Sequence, residues 1–128
     1  MSLDRKPVVW VSSTCKDIQI LPTEVKRDLG NALGEAQKGN KHPNVKPLLG
    51  FGGASILEIV SNFATDAYRA VYTVRFEEAI YVLHVFQKKS MQGRKTPQRD
   101  LDVIQRRLQQ AQAMHQEYLQ QEGKMNEL

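Results

Sequence analysis

The chain has 128 residues, 41% of them hydrophobic and 25% charged, and a formal net charge of +4. That length suits one domain burying roughly two-thirds of the surface its unfolded chain would expose, and the composition excludes wholesale disorder. A single cysteine, Cys15, excludes an internal disulfide framework and a multi-cysteine metal site, and fits a reducing cytoplasm. The first residues lack a signal-peptide pattern and no run approaches the ~20 apolar residues that cross a bilayer, so the expectation is a soluble cytoplasmic protein with no membrane partner. The basicity is local. Lys88, Lys89, Arg94, Lys95, Arg99, Arg106 and Arg107 face only Asp100 and Asp102 between residues 86 and 107. Such a patch suits nucleic acid; a solvated helix face and an acidic protein partner are the alternatives.

Residues 7–12, Pro-Val-Val-Trp-Val-Ser, have the β-branched and aromatic character of a first or edge strand. Ser13 or Thr14 is placed to cap a short helix through Leu21, with Asp17 in a capping-box-like position three residues after Thr14. Pro22 closes it and suits the first position of a second helix, in which Val25, Leu29, Ala32, Leu33 and Ala36 form one apolar face before Gly39 stops it. Gly30 and Gly34 each cost roughly 1 kcal/mol there relative to alanine, which points to a close approach between this helix and a sheet.

Residues 40–53 are rich in Gly, Asn and Pro and read as loop. Residues 55–60, 68–76 and 79–86 read as three strands joined by short turns, an antiparallel meander. The last is apolar on both alternating faces and belongs in the sheet centre. In the middle strand Tyr68, Ala70, Tyr72, Val74 and Phe76 would face the helices. Arg69, Val71, Thr73 and Arg75 would take the opposite, solvent-side face with Glu58, making a cationic groove. Thr96-Pro97 opens a C-terminal helix with Leu101, Ile104, Leu108 and Ala111 as its stripe, which can continue to Tyr118, and Gly123 suits a stop. The chain thus reads as one α+β domain over residues 1–128, with a core of about 7–111 and 112–128 as a helical extension or loose tail.

Gly50-Phe51-Gly52-Gly53 lacks the lysine and following helix of a phosphate-binding loop. His42, His84 and His115 show no metal-ligand spacing, so neither a metal nor a cofactor is expected. His84 reads either as a core histidine or as an acid-base group. Glu58 reads as a partner for Arg69. Arg94, Lys95, Arg99, Arg106 and Arg107 read as a solvated face or as RNA or partner contacts.

Leu83-His84-Val85-Phe86-Gln87-Lys88-Lys89, with Tyr68-Arg69-Ala70-Val71-Tyr72, resembles the RelE/ParE toxin superfamily, specifically its HigB-like, phage-derived branch. Thr96-Pro97-Gln98-Arg99-Asp100, Leu21-Pro22, Val45-Lys46-Pro47-Leu48 and Leu57-Glu58-Ile59 extend the resemblance over about residues 7–111. The resemblance implies a small antiparallel sheet with two N-terminal helices on one face. It also implies the toxin of a toxin-antitoxin pair that cuts messenger RNA on the ribosome by metal-independent attack of a ribose 2′-hydroxyl. Its catalytic candidates are Arg69, Lys88, Lys89 and His84. Its substrate-binding candidates are Lys46, Glu58, Arg75, Arg94 and Lys95. The implied partners are a cognate antitoxin with a helix-turn-helix DNA-binding domain, messenger RNA and the ribosome, with a homo-oligomer through the C-terminal helix as a further expectation. Val60 stands where many relatives have arginine, and Arg75 is the candidate to compensate. The alternatives are a non-catalytic ParE-like toxin that inhibits a topoisomerase and a domesticated interaction-only domain.

Overall fold

In a computed structural model, which describes residues 5–51, 53, 55–88 and 96–126, the chain is α+β. In chain order the elements are β1 (Val8–Trp10), α1 (Thr14–Gln19), α2 (Thr23–Gln37), β2 (Val45–Pro47), β3 (Ile56–Phe63), β4 (Asp66–Thr73), β5 (Ile80–Lys88) and α3 (Gln98–Asn126). The five strands form one sheet in the order β1-β5-β4-β3-β2. β1 runs parallel to β5 and every other pair is antiparallel. The meander follows the sequence reading, and β5 is an interior strand covered on both faces, although the middle of the five is β4. β2 does not: residues 45–47 lie in the stretch read as loop, yet pair with residues 57–59.

The apolar stripe of α2 is fully buried against the sheet, where Val25, Leu29 and Ala32 meet Ile59, Ala70, Tyr72 and Val82. Burial of a leucine such as Leu29 contributes about 1.5–3 kcal/mol, which outweighs the glycine penalties in this helix. Gly30 and Gly34 do not serve close packing, because an added Cβ at either meets open space. Gly39, at φ +87°, ends α2 in the left-handed conformation that glycine adopts most readily. At α1 the Ser13 hydroxyl donates to Asp17 at 2.8 Å; it does not cap the backbone.

The opposite sheet face is not an open groove along its length. α3 crosses it, and Ile104, Leu108 and Ala111 form a second core with Val11, Val71, Tyr81 and Leu83. Phe76 joins this core instead of the α2 side, because β4 ends at Thr73 and strict alternation ends with it. α3 also runs through Gly123 to Asn126.

The sheet's alternation changes phase once. Val71 pairs with His84 but Tyr72 pairs with Val82, so Leu83 is an extra residue on β5. This bulge moves His84 and Phe86 from the α2 side, where parity with Val82 would put them, to the α3 side. The farther turns of α3 are fastened by His115, which is 4% exposed: its Nε2 lies 2.8 Å from Glu78 Oε1 and its Nδ1 3.1 Å from the Tyr81 hydroxyl. His115→Ala would strand the Tyr81 hydroxyl in the second core and is expected to lower stability by about 2–3 kcal/mol. Thermal melts with amide exchange beyond residue 111 check this; an unchanged melting temperature contradicts it.

Candidate functional site

Four adjacent strands each place one ionic side chain on the α3 side of the sheet. Lys46 of β2 lies directly across from Glu58 of β3, Arg69 of β4 is across from Phe86 of β5, and Lys88 follows two residues along β5. Glu58 is the centre. Its side chain is 2% exposed, and the carboxylate receives Arg69 Nη1 on both oxygens at 3.0 and 3.1 Å, lies 3.8 Å from Lys46 Nζ on the Oε1 side, and accepts the Thr96 hydroxyl on Oε2 at 3.4 Å. A buried carboxylate is tolerated only with such partners, and removing one partner of a buried pair costs about 3–5 kcal/mol.

Arg69 is therefore not the solvent-side residue its alternation implies. Its side chain is 7% exposed, and Arg69→Ala would damage the fold as well as the charge. Its Nε–H is buried and meets no acceptor among the described residues. An unmet buried donor costs about 1–3 kcal/mol, and this one sits on the guanidinium edge that suits bidentate binding of an anion. Lys46 is about half exposed and Lys88 half-buried. Lys88 has its pKa lowered from the ordinary 10.5, first by burial, then by the positive charges of Arg69 and Lys46, with Glu58 opposing. Two cavities flank the cluster. One of about 280 Å³ is lined by Phe86, Lys88, Pro97 and Arg99, and one of about 400 Å³ lies between β2 and α3.

His84 is held by the protein on both ring nitrogens. Nε2 is 2.8 Å from Asp100 Oδ1, and Nδ1 is 3.4 Å from Arg107 Nη1, which also donates to the Leu83 carbonyl at 3.1 Å. These partners suit a neutral ring that donates from Nε2 and accepts at Nδ1. Burial accordingly lowers the His84 pKa, with Asp100 opposing and Arg107 assisting. The arrangement pins the start of α3 to β5, and Arg107 is thus an anchor where the sequence suggested a solvated face or an RNA or partner contact.

The sequence candidates separate clearly. Lys46, Glu58, Arg69 and Lys88 converge, and His84 lies beside them. Arg75 does not: it is exposed beyond the end of β4, six residues from Arg69 and so roughly 20 Å along the strand direction, and cannot replace a cation at Val60, which sits opposite Arg69. Lys89, Arg94 and Lys95 lie outside the described residues. Thr96, Phe86 and Asp100 escaped the sequence reading as site residues. Thr96 and Asp100 looked like ordinary helix-start residues, and only the bulge on β5 turns Phe86 toward the site.

The family model Phage derived protein Gp49-like (DUF891) matches residues 16–109, which carry every residue of this cluster. The chain belongs to this family. The Gp49-like family is of the RelE toxin type, in keeping with the sheet and the N-terminal helices. No curated protein and no solved structure matches the chain. Among the described residues of this Gp49-like protein, no helix is long and apolar enough to cross a membrane, and no group of three or more His, Cys, Asp or Glu is placed to hold a metal ion.

The depressed His84 pKa has a signed consequence. The unfolded chain takes up the proton first as pH falls, so stability from neutral His84 is full above the ordinary value of 6.5 and is lost as pH drops through the lower folded-state pKa. Asp100→Asn removes the group that opposes burial and is expected to lower the His84 pKa further. NMR titration of the ring checks this; a raised pKa contradicts it.

Proposed function

We propose that this Gp49-like protein is the toxin of a toxin-antitoxin pair, a HigB-like enzyme that cleaves messenger RNA on translating ribosomes. The observation that carries the reading is the Nε–H of Arg69, which meets no acceptor among the described residues and belongs to the cluster that also holds Lys46 and Lys88. A phosphodiester supplies such an acceptor.

In the proposed reaction the ribose 2′-oxygen bonds to its neighbouring phosphorus while the bond from phosphorus to the 5′-oxygen breaks, leaving a 2′,3′-cyclic phosphate. Arg69 and Lys46 stabilise the charge that builds on the phosphorane oxygens. Lys88, with its lowered pKa, takes part in proton transfer between the 2′-hydroxyl and the departing 5′-oxygen. Phe86 offers an aromatic face beside Lys88 for a base. His84 serves as a positioning residue in this scheme, because its protein partners occupy both nitrogens. The role of Lys89, Arg94 and Lys95 is further phosphate contact, and neutralisation falls to a cytoplasmic antitoxin with a helix-turn-helix domain.

One observation favours a second reading. Glu58 engages Arg69 within the sheet and Val60 adds no cation, which suits a non-catalytic ParE-like toxin that occupies a topoisomerase. A message carrying one 2′-deoxy sugar at the cleavage position separates the two. The nuclease reading expects normal ribosome binding, no cut at that bond, and a cyclic phosphate or its hydrolysed monophosphate from the normal message. Lys88→Gln should slow cleavage by about 10²–10⁴-fold. Cutting of the deoxy message at the same bond contradicts 2′-hydroxyl attack, and absence of any cleavage together with inhibited DNA supercoiling moves the assignment to the topoisomerase.

A further inference from the structure

The cavity of about 400 Å³ between β2 and α3 shares Lys46, Glu58 and Thr96 with the cluster, and the rest of its lining has no role in the phosphate chemistry proposed above. Its walls are apolar, with Leu48 and Leu49 on one side and Leu101 on the other, and its polar end is formed by Lys46, Glu58 and Thr96. Leu48 is buried in the second core, whereas Leu49 beside it is 82% exposed at the rim, a large apolar side chain that nothing among the described residues covers. A mostly apolar concavity of this size with a few convergent polar groups is the ordinary form of a small-molecule subsite.

The charges decide which molecule fits. A carboxylate offers about four acceptor positions. Arg69 Nη1 takes one on each Glu58 oxygen and the Thr96 hydroxyl takes another on Oε2. Among the described residues the remaining position is on Oε1, the oxygen nearest Lys46, whose ammonium at 3.8 Å is beyond hydrogen-bond distance. An occupant with an apolar, flat body and N–H donors would meet that acceptor, while a phosphate attached to it would meet Lys46. An acidic peptide or a fatty-acid carboxylate would instead bring negative charge against Glu58.

We propose that this cavity binds a nucleobase carrying an exocyclic amino group, namely adenine, cytosine or guanine, with the ring between Leu49 and Leu101 and the amino group donating to Glu58 Oε1. The inference rests on the RNA-directed reading above and adds a base preference to it. Uracil presents a carbonyl oxygen where the other bases present an amino group, and its lone N3–H is flanked by two carbonyls, so it places acceptors against a carboxylate.

The test is NMR titration of the full-length ¹⁵N-labelled protein with the four nucleoside 3′-monophosphates. Adenosine, cytidine and guanosine monophosphates should shift the amides of Leu48, Leu49, Thr96 and Leu101. Uridine monophosphate should bind about tenfold more weakly or less tightly still, as for a lost base-edge contact. Leu49→Trp, at a rim position outside the core, should fill the cavity and abolish base-dependent shifts while leaving the rest of the spectrum in place. Equal shifts from all four nucleotides, shifts confined to Lys46 and Lys88, or shifts unaffected by Leu49→Trp would overturn the proposal. Base-dependent binding by a protein that cuts no translated message would leave this subsite standing and overturn the nuclease reading; cleavage with no base-dependent shifts does the reverse.

Discussion

A carboxylate sealed inside a sheet dictates the arrangement of this molecule's charged residues. Glu58 is 1% exposed, and a charge so deeply placed survives only if cations and hydroxyls are brought to it. Arg69 and Thr96 meet that demand directly, and Lys46 lies just beyond hydrogen-bond distance. The consequence reaches past stability. To satisfy Glu58, β2, β4 and the start of α3 must converge on β3, and the convergence also gathers cationic groups at one end of the sheet. Arg69 is held so that one of its donors, Nε–H, is left without an acceptor among the described residues. Stability thus fixes the position of the guanidinium and of that donor.

The second constraint is the bulge at Leu83. An unbroken β5 would have aimed His84 and Phe86 into the α2 core; the inserted residue turns both to the α3 side, Phe86 across from Arg69 and His84 against Asp100. It also lets Leu83 remain in the second core while the next residue, His84, reaches Asp100. α3 is then fixed at two places, near its start by His84 and Arg107 and farther along by His115 with Tyr81 and Glu78. Between these anchors its apolar stripe closes the second core. The open end of the sheet is left to the cationic cluster and its two cavities.

Much of this was legible in the residue order. The apolar stripe of α2, the meander and the pairing of Glu58 with Arg69 are properties of local periodicity, and a period of two or 3.6 is visible without a structure. What stayed hidden has a physical cause in each case. β2 is three residues long, ends in proline and lies in a stretch rich in glycine and asparagine, so its strand character comes only from pairing with β3. β5 is apolar on both faces, which conceals a change of phase, and the alternation that implies an open cationic groove does not show that α3 packs across the β5 part of that face. Alternation gives Arg69 its face but not its buried environment, because it reports direction and not what lies above. His115 lies 34 residues from Tyr81 and 37 from Glu78, and no local pattern joins them.

The proposed activity depends on the Arg69 Nε–H donor binding a phosphate of RNA. It is tested most directly by following the Arg69 Nε–H resonance while the protein is titrated with a short RNA made uncuttable by a 2′-deoxy sugar. Binding through this donor predicts a downfield shift of that resonance and slower exchange with water. An Arg69 Nε–H signal that stays in place while Lys46 and Lys88 respond to the RNA would contradict the account.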